Sequence, residues 1–71
     1  MPVETFIPAS SNLDEITYDD ETQVLTVQFK SGLKYEYLSV PRATFDGLKN
    51  AKSAGSYFYE KVRSVYAYNV V

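Results

Sequence analysis

The sequence predicts an α+β fold: a three-stranded antiparallel meander followed by two short helices packed on one face of the sheet. Three observations lead there. Apolar and polar residues alternate through 13–18, 24–29 and 33–37. Turn-forming residues separate these runs. Beyond Pro41 the apolar spacing widens to three or four residues, the helical period. At 71 residues the chain has room for one domain, spanning 1–71. A chain this short buries only about 60% of its unfolded surface. It has neither cysteine nor histidine, so disulfides are excluded and the common zinc ligands are missing. The core must come from the 45% of residues that are hydrophobic, among them seven tyrosines.

Residues 1–10 read as irregular chain or an edge strand, because Pro8 interrupts the apolar run at Phe6 and Ile7. Strand one covers 13–18, with Ile16 and Tyr18 on one face, and Asp19 to Thr22 supply turn chemistry. Strand two covers 24–29, with Leu25, Val27 and Phe29 turned inward. Strand three covers 33–37, with Leu33, Tyr35 and Tyr37 on the same side. A three-residue loop at Lys30-Ser31-Gly32, with Gly32 left-handed, pairs Phe29 with Leu33, Val27 with Tyr35 and Leu25 with Tyr37. A four-residue loop at 20–23 pairs Tyr18 with Leu25 and Ile16 with Val27. One buried face thus sets the whole register. Pro41 opens the first helix, which runs to about Ala51 and turns Phe45, Leu48 and Ala51 inward. Gly47 inside it implies close packing or a weak helix. Ser53 and Ser56 offer caps for a second helix from about Ser56 to Tyr66, with Phe58, Val62 and Val65 or Tyr66 on one face. Ile16, Leu25, Val27, Phe29, Phe45, Leu48, Phe58 and Val62 are expected to be largely buried.

Charge is divided unevenly. Residues 1–29 hold six carboxylates and no cation; residues 30–71 hold seven cations against Glu36, Asp46 and Glu60, for a net charge of −2. Such a chain can present a basic face despite its acidic total. No run approaches the length of a membrane span. The N-terminus has an early glutamate and no basic stretch before an apolar one, so it does not read as a signal peptide. A cytoplasmic location without membrane contact is the expectation.

Catalysis lacks its usual parts. No histidine is present to activate a serine, and no cysteine to act as nucleophile, so no enzyme activity is expected. Asp19-Asp20-Glu21 lacks the spacing of a calcium loop and reads as a turn. No phosphate-binding glycine loop is present. No cofactor is expected.

In order along the chain stand Ser11, Tyr18-Asp19, Leu25–Gly32 (LTVQFKSG), Tyr35-Glu36-Tyr37, Leu38-Ser39-Val40-Pro41, Ala51–Phe58 (AKSAGSYF), Val62-Arg63 and Tyr66. In this combination, over roughly Ser10 to Tyr66, the chain resembles the KTSC domain, found at the C-terminus of some lysyl-tRNA synthetases and as a stand-alone protein. Tyr59 departs from that pattern, where a small polar residue such as asparagine is expected. The family has no established reaction to carry over. Its synthetase context implies RNA as a partner.

Three features suit binding. Tyr35 and Tyr37 on one strand face can stack bases or pack into the core. The Ser53–Ser56 turn can receive an anion or simply cap its helix. The basic set places Arg42 and Lys49 on one side of the first helix and Arg63 beside Tyr59 and Tyr66 on the second. There the arginine suits stacking and phosphate contact, or a structural bond to a carbonyl. The expectation is a non-catalytic module that binds RNA or another polyanion through Arg42, Lys49, Lys52, Ser53 and Arg63, with Tyr59 or Tyr66 as stacking surface. The alternative is a protein-interaction or assembly domain.

Overall fold

A computed structural model describes residues 3–8 and 12–71. The expectations that fall on residues 1–2 and 9–11 lie outside the described residues. The fold is α+β, as expected, but the sheet has five strands rather than three. They are β1 (Val3–Phe6), β2 (Leu13–Asp19), β3 (Val24–Phe29), β4 (Lys34–Tyr37) and β5 (Tyr68–Val70), all antiparallel and in sequential order across the sheet. Helices α1 (Arg42–Asn50) and α2 (Ala54–Lys61) fall between β4 and β5.

The central register agrees with the sequence. Ile16 faces Val27 and Tyr18 faces Leu25; Val27 faces Tyr35 and Leu25 faces Tyr37. The Phe29 N–H donates to the Leu33 carbonyl across the three-residue loop, and Gly32 there has φ of 99°, the left-handed region that costs glycine nothing. β2 carries one irregularity. Leu13 pairs with Phe29 and Glu15 with Gln28, so Asp14 is the extra residue of a bulge. Leu13 and Ile16 are three apart and would face opposite ways in a regular strand. The bulge turns both inward, and both are buried.

β1 takes the edge-strand alternative that the sequence leaves open for residues 1–10, whereas β5 has no counterpart among the expected strands. β1 adds to β2, pairing Glu4 with Tyr18 and Phe6 with Ile16. Pro8 does not obstruct it, because the ladder stops at Phe6. β5 adds to β4, pairing Tyr37 with Tyr68 and Tyr35 with Val70. Both helices cover one face of the sheet. Phe45 of α1 stacks on Tyr18, with centroids 4.9 Å apart and planes 16° apart, and Phe6 meets it edge-on. Phe58 of α2 meets Tyr37 and Phe29 edge-on. With Leu13, Ile16, Leu25, Val27, Val40, Leu48 and Val62 these rings form the core. Each fully buried apolar side chain contributes about 1.5–3 kcal/mol. Phe29 is only half-buried, because it lies where the helices no longer cover the sheet.

The helices are shorter than the apolar spacing suggests. α1 starts after Pro41, as expected, and stops at Asn50. Gly47 marks close packing: a methyl group there would overlap the hydroxyl and ring of Tyr57 on α2. α2 starts after Ser53, whose Oγ accepts from the Ser56 N–H. It ends at Lys61 rather than Tyr66. Val62 has non-helical dihedrals, and the Arg63 N–H reaches back to the Phe58 carbonyl. The Val65 and Tyr66 N–H groups then close a separate turn on the Val62 carbonyl. That turn brings Tyr66 to Thr44 of α1, their hydroxyls 3.0 Å apart.

Candidate functional site

β4 and β5 extend past the two helices and leave part of the apolar face uncovered. The result is a cleft of about 490 Å³. Tyr35 and Tyr37 of β4 and Tyr68 of β5 form its floor. Tyr59, Arg63 and Ser64, from α2 and the turn after it, form one wall. Phe29, Ser31 and Leu33, around the β3–β4 turn, close one end.

The sheet register explains the aromatic floor. The Leu38 N–H bonds the Ala67 carbonyl, and the Val71 N–H bonds the Lys34 carbonyl. The pairs between them, Tyr37 with Tyr68 and Tyr35 with Val70, are therefore the close, non-hydrogen-bonded kind. Tyr35 and Tyr68 stack, with centroids 5.2 Å apart and planes 8° apart. Tyr37 lies 5.4 Å from Tyr68 and 5.4 Å from Phe58. Tyr37 is almost fully buried, whereas Tyr59 and Tyr68 remain 42% and 49% exposed. Burial first, then the neighbouring Tyr35 and Tyr68, pushes the Tyr37 phenol up to about 12. The Arg63 guanidinium stands over the Tyr59 ring, 5.2 Å from its centroid. Arg63 is the single charged residue lining the cleft. A smaller hollow on the opposite face, about 280 Å³, holds Asp19 and Glu36 and no cation. Its charge repels anions; that of the cleft attracts them.

The residues expected to form one basic surface are divided among four places. Arg63 and Tyr59 meet in the cleft. Arg42 pairs with Glu4 of β1, with Asp20 at 3.5 Å and with Asp46 at 3.4 Å. Lys49 reaches the same Glu4 at 3.4 Å, and both cations lie over the Phe45 ring. Acidic and basic halves thus neutralise each other here, where a free basic face was expected. Lys52 and Ser53 precede α2, with Ser53 acting as its cap. The helix length, about 12 Å at 1.5 Å per residue, separates them from Arg63. Tyr66 packs against the core and meets Thr44. Tyr35 and Tyr37 face the helix side, yet Tyr35 also lines the cleft, so core and stacking roles divide between neighbouring rings.

Little in the sequence points to Tyr68. Residues 67–71 (AYNVV) carry one alternation and no flanking turn signal. The β-branched run and the tyrosine at its start are the only hint.

β5 is also an edge. With Ala67 and Val71 bonded toward β4, the backbone groups of Tyr68 and Val70 point outward. β5 contains no charged residue, and exposed Leu33, Val65, Val70 and Val71 lie on or near it in the chain or the sheet. No helix among the described residues is long and apolar enough to cross a membrane.

Over 61 residues the chain is 39% identical to the lysine–tRNA ligase of Trichormus variabilis and 34% identical to that of Nostoc punctiforme. Each alignment covers 86% of this chain but 11% of the ligase, so the chain spans about a ninth of those relatives. Over 49 residues it is 43% identical to an uncharacterised protein of Stutzerimonas stutzeri, covering 69% of each. The crystal structure of a KTSC domain protein from Yersinia pestis matches it with a TM-score of 0.88 at 25% identity, over 99% of both chains. Residues 9–66 match the KTSC domain profile, and with these relatives the chain belongs to the KTSC domain family.

Proposed function

We propose that the chain is a non-catalytic binding module whose tyrosine cleft takes single-stranded nucleic acid, RNA in the first instance. One observation carries the reading: four tyrosines and one arginine share a cleft that no carboxylate lines. Unpaired bases stack on aromatic rings for about 1–3 kcal/mol each, and arginine supplies phosphate contact. Stacking suits an acidic chain, since it does not depend on net charge. The likeness to a segment of lysine–tRNA ligases supports RNA over DNA. Tyr59 and Arg63 are the expected residues that carry this reading; Arg42, Lys49 and Tyr66 are already engaged, and Lys52 and Ser53 offer contact only at the far end of α2.

Amide shift mapping with a short single-stranded RNA at low salt tests it. Shifts should gather at Tyr35, Tyr37, Tyr59, Arg63 and Tyr68. No shifts, or shifts confined to 13–29, would end the reading. The second reading, a protein-interaction domain, rests on the uncharged outer edge of β5. It would then lead, and its signature is concentration-dependent sedimentation without nucleic acid.

A further inference from the structure

The cleft also indicates how much of a strand it holds, an inference that rests on the nucleic-acid reading above. We infer that the site takes one nucleotide unit, a single unstacked base with its phosphate, and does not track along a strand.

Three observations support this. The first is size. At about 490 Å³ the cleft lies within the range of small-molecule sites, not that of an extended groove. The second is the aromatic arrangement. Tyr35 and Tyr68 already form a two-ring stack, and Tyr68 keeps its other side open, being 49% exposed. A base adds to that stack as a third ring. Among the described residues the floor ends at β5, with no further strand paired to it to continue a platform. The third is charge. Arg63 is the one cation in the lining, and the Tyr59 ring beneath it fixes where it stands. Arg42 and Lys49 are held by Glu4, so no run of free cations leads away from the cleft along α1. One phosphate can be neutralised, and a second has no counterpart in the lining.

A strand-tracking protein behaves differently. Each phosphate neutralised on a single strand adds about 0.7 to the slope of log affinity against log salt. One contact therefore gives a slope near −0.7, and three give about −2. Affinity should also gain little from length beyond the number of equivalent placements.

The experiment titrates the protein with the dinucleotide ApA and with an oligoadenylate of about eight nucleotides, across a salt series. Tyrosine emission reports binding, since the chain has seven tyrosines and no tryptophan. The expected result is an octamer affinity within about tenfold of ApA, with a slope near −0.7 for the octamer and no steeper for ApA. Arg63→Gln should flatten that slope, and Tyr68→Ala should weaken both ligands by about tenfold or more. Lys34→Gln, on the open face of the sheet, should leave both unchanged. Because Tyr68→Ala could loosen β5, Arg63→Gln, at an exposed position, decides if that variant melts early. An octamer bound more than about a hundredfold tighter, with a slope of −2 or steeper, would overturn the single-unit site and leave the nucleic-acid reading standing. Failure of both ligands to quench emission at low salt, with the melting transition intact, would overturn both.

Discussion

Tyr18 shows how one residue links the halves of the structure. Its ring stacks on Phe45, and its hydroxyl donates a 2.6 Å hydrogen bond to the buried Val40 carbonyl. That carbonyl belongs to the segment where β4 gives way to α1. A buried carbonyl without a partner costs about 1–3 kcal/mol, more than the bond itself contributes net. Tyr18→Phe keeps the stack and removes only the donor. The variant should lose about 1–3 kcal/mol in a urea melt with an unchanged m value. A melt indistinguishable from wild type would show that water reaches the Val40 carbonyl. Such a pairing is invisible from the chain alone: the alternation turns Tyr18 inward but says nothing of what its hydroxyl meets.

At the scale of elements, legibility follows burial. β2, β3 and the end of β4 each bury one side, so their alternation is plain and only one register buries it. Gly32 fixed the turn for the same reason. β1 and β5 have four and three residues and pair on one side only, and β5 is exposed throughout. A strand with little buried surface leaves little pattern to read. The end of α2 was overestimated because the turn closing on Val62 keeps the helical apolar spacing without the helix. Within the cleft, Tyr59 and Arg63 were legible because they lie one helical turn apart. Tyr68 was not, since its neighbours come from β4, far back in the chain. The ion pairs of Arg42 and Lys49 are illegible for the same reason, because Glu4 lies at the other end of the sequence. Glu4 faces the helices from an edge strand and draws in both cations, fastening β1 to α1. Exposed pairs of this kind contribute little to global stability, because water screens them. Glu4→Gln should therefore leave the global melt nearly unchanged. Local opening of β1 should nonetheless become more frequent, read as faster amide exchange at Val3–Phe6. Salt should produce part of the same change in the wild type. Exchange left unaltered by the substitution would show that the Phe6–Phe45 contact holds the strand by itself.

Across the whole molecule, the absence of cysteine and histidine leaves tyrosine as the residue whose ionisation bears on the core. Tyr18 and Tyr37 are both buried, and both are raised above the ordinary phenol value, by burial before any other cause. Tyr37 reaches about 12. In the unfolded chain a tyrosine titrates near 10. Between these values the unfolded state has released protons that the folded state retains, so stability falls as pH rises. The contribution is complete below pH 10, declines between about 10 and 12, and is lost above. For Tyr37 the full loss is about 2–3 kcal/mol, a large part of what holds so short a chain together. Urea melts followed by circular dichroism from pH 8 to 11 should show this decline beginning as the unfolded tyrosines ionise. Tyr37→Phe removes the titrating group while keeping the ring between Phe58 and Tyr68. It should flatten the decline, leaving the smaller part due to Tyr18. Every other group is common to both proteins and cancels in the comparison. An equally steep fall in the variant would mean that Tyr37 gives up its proton as readily folded as unfolded. That would place water against its hydroxyl, and the floor of the cleft would then be wet beneath any base stacked upon it.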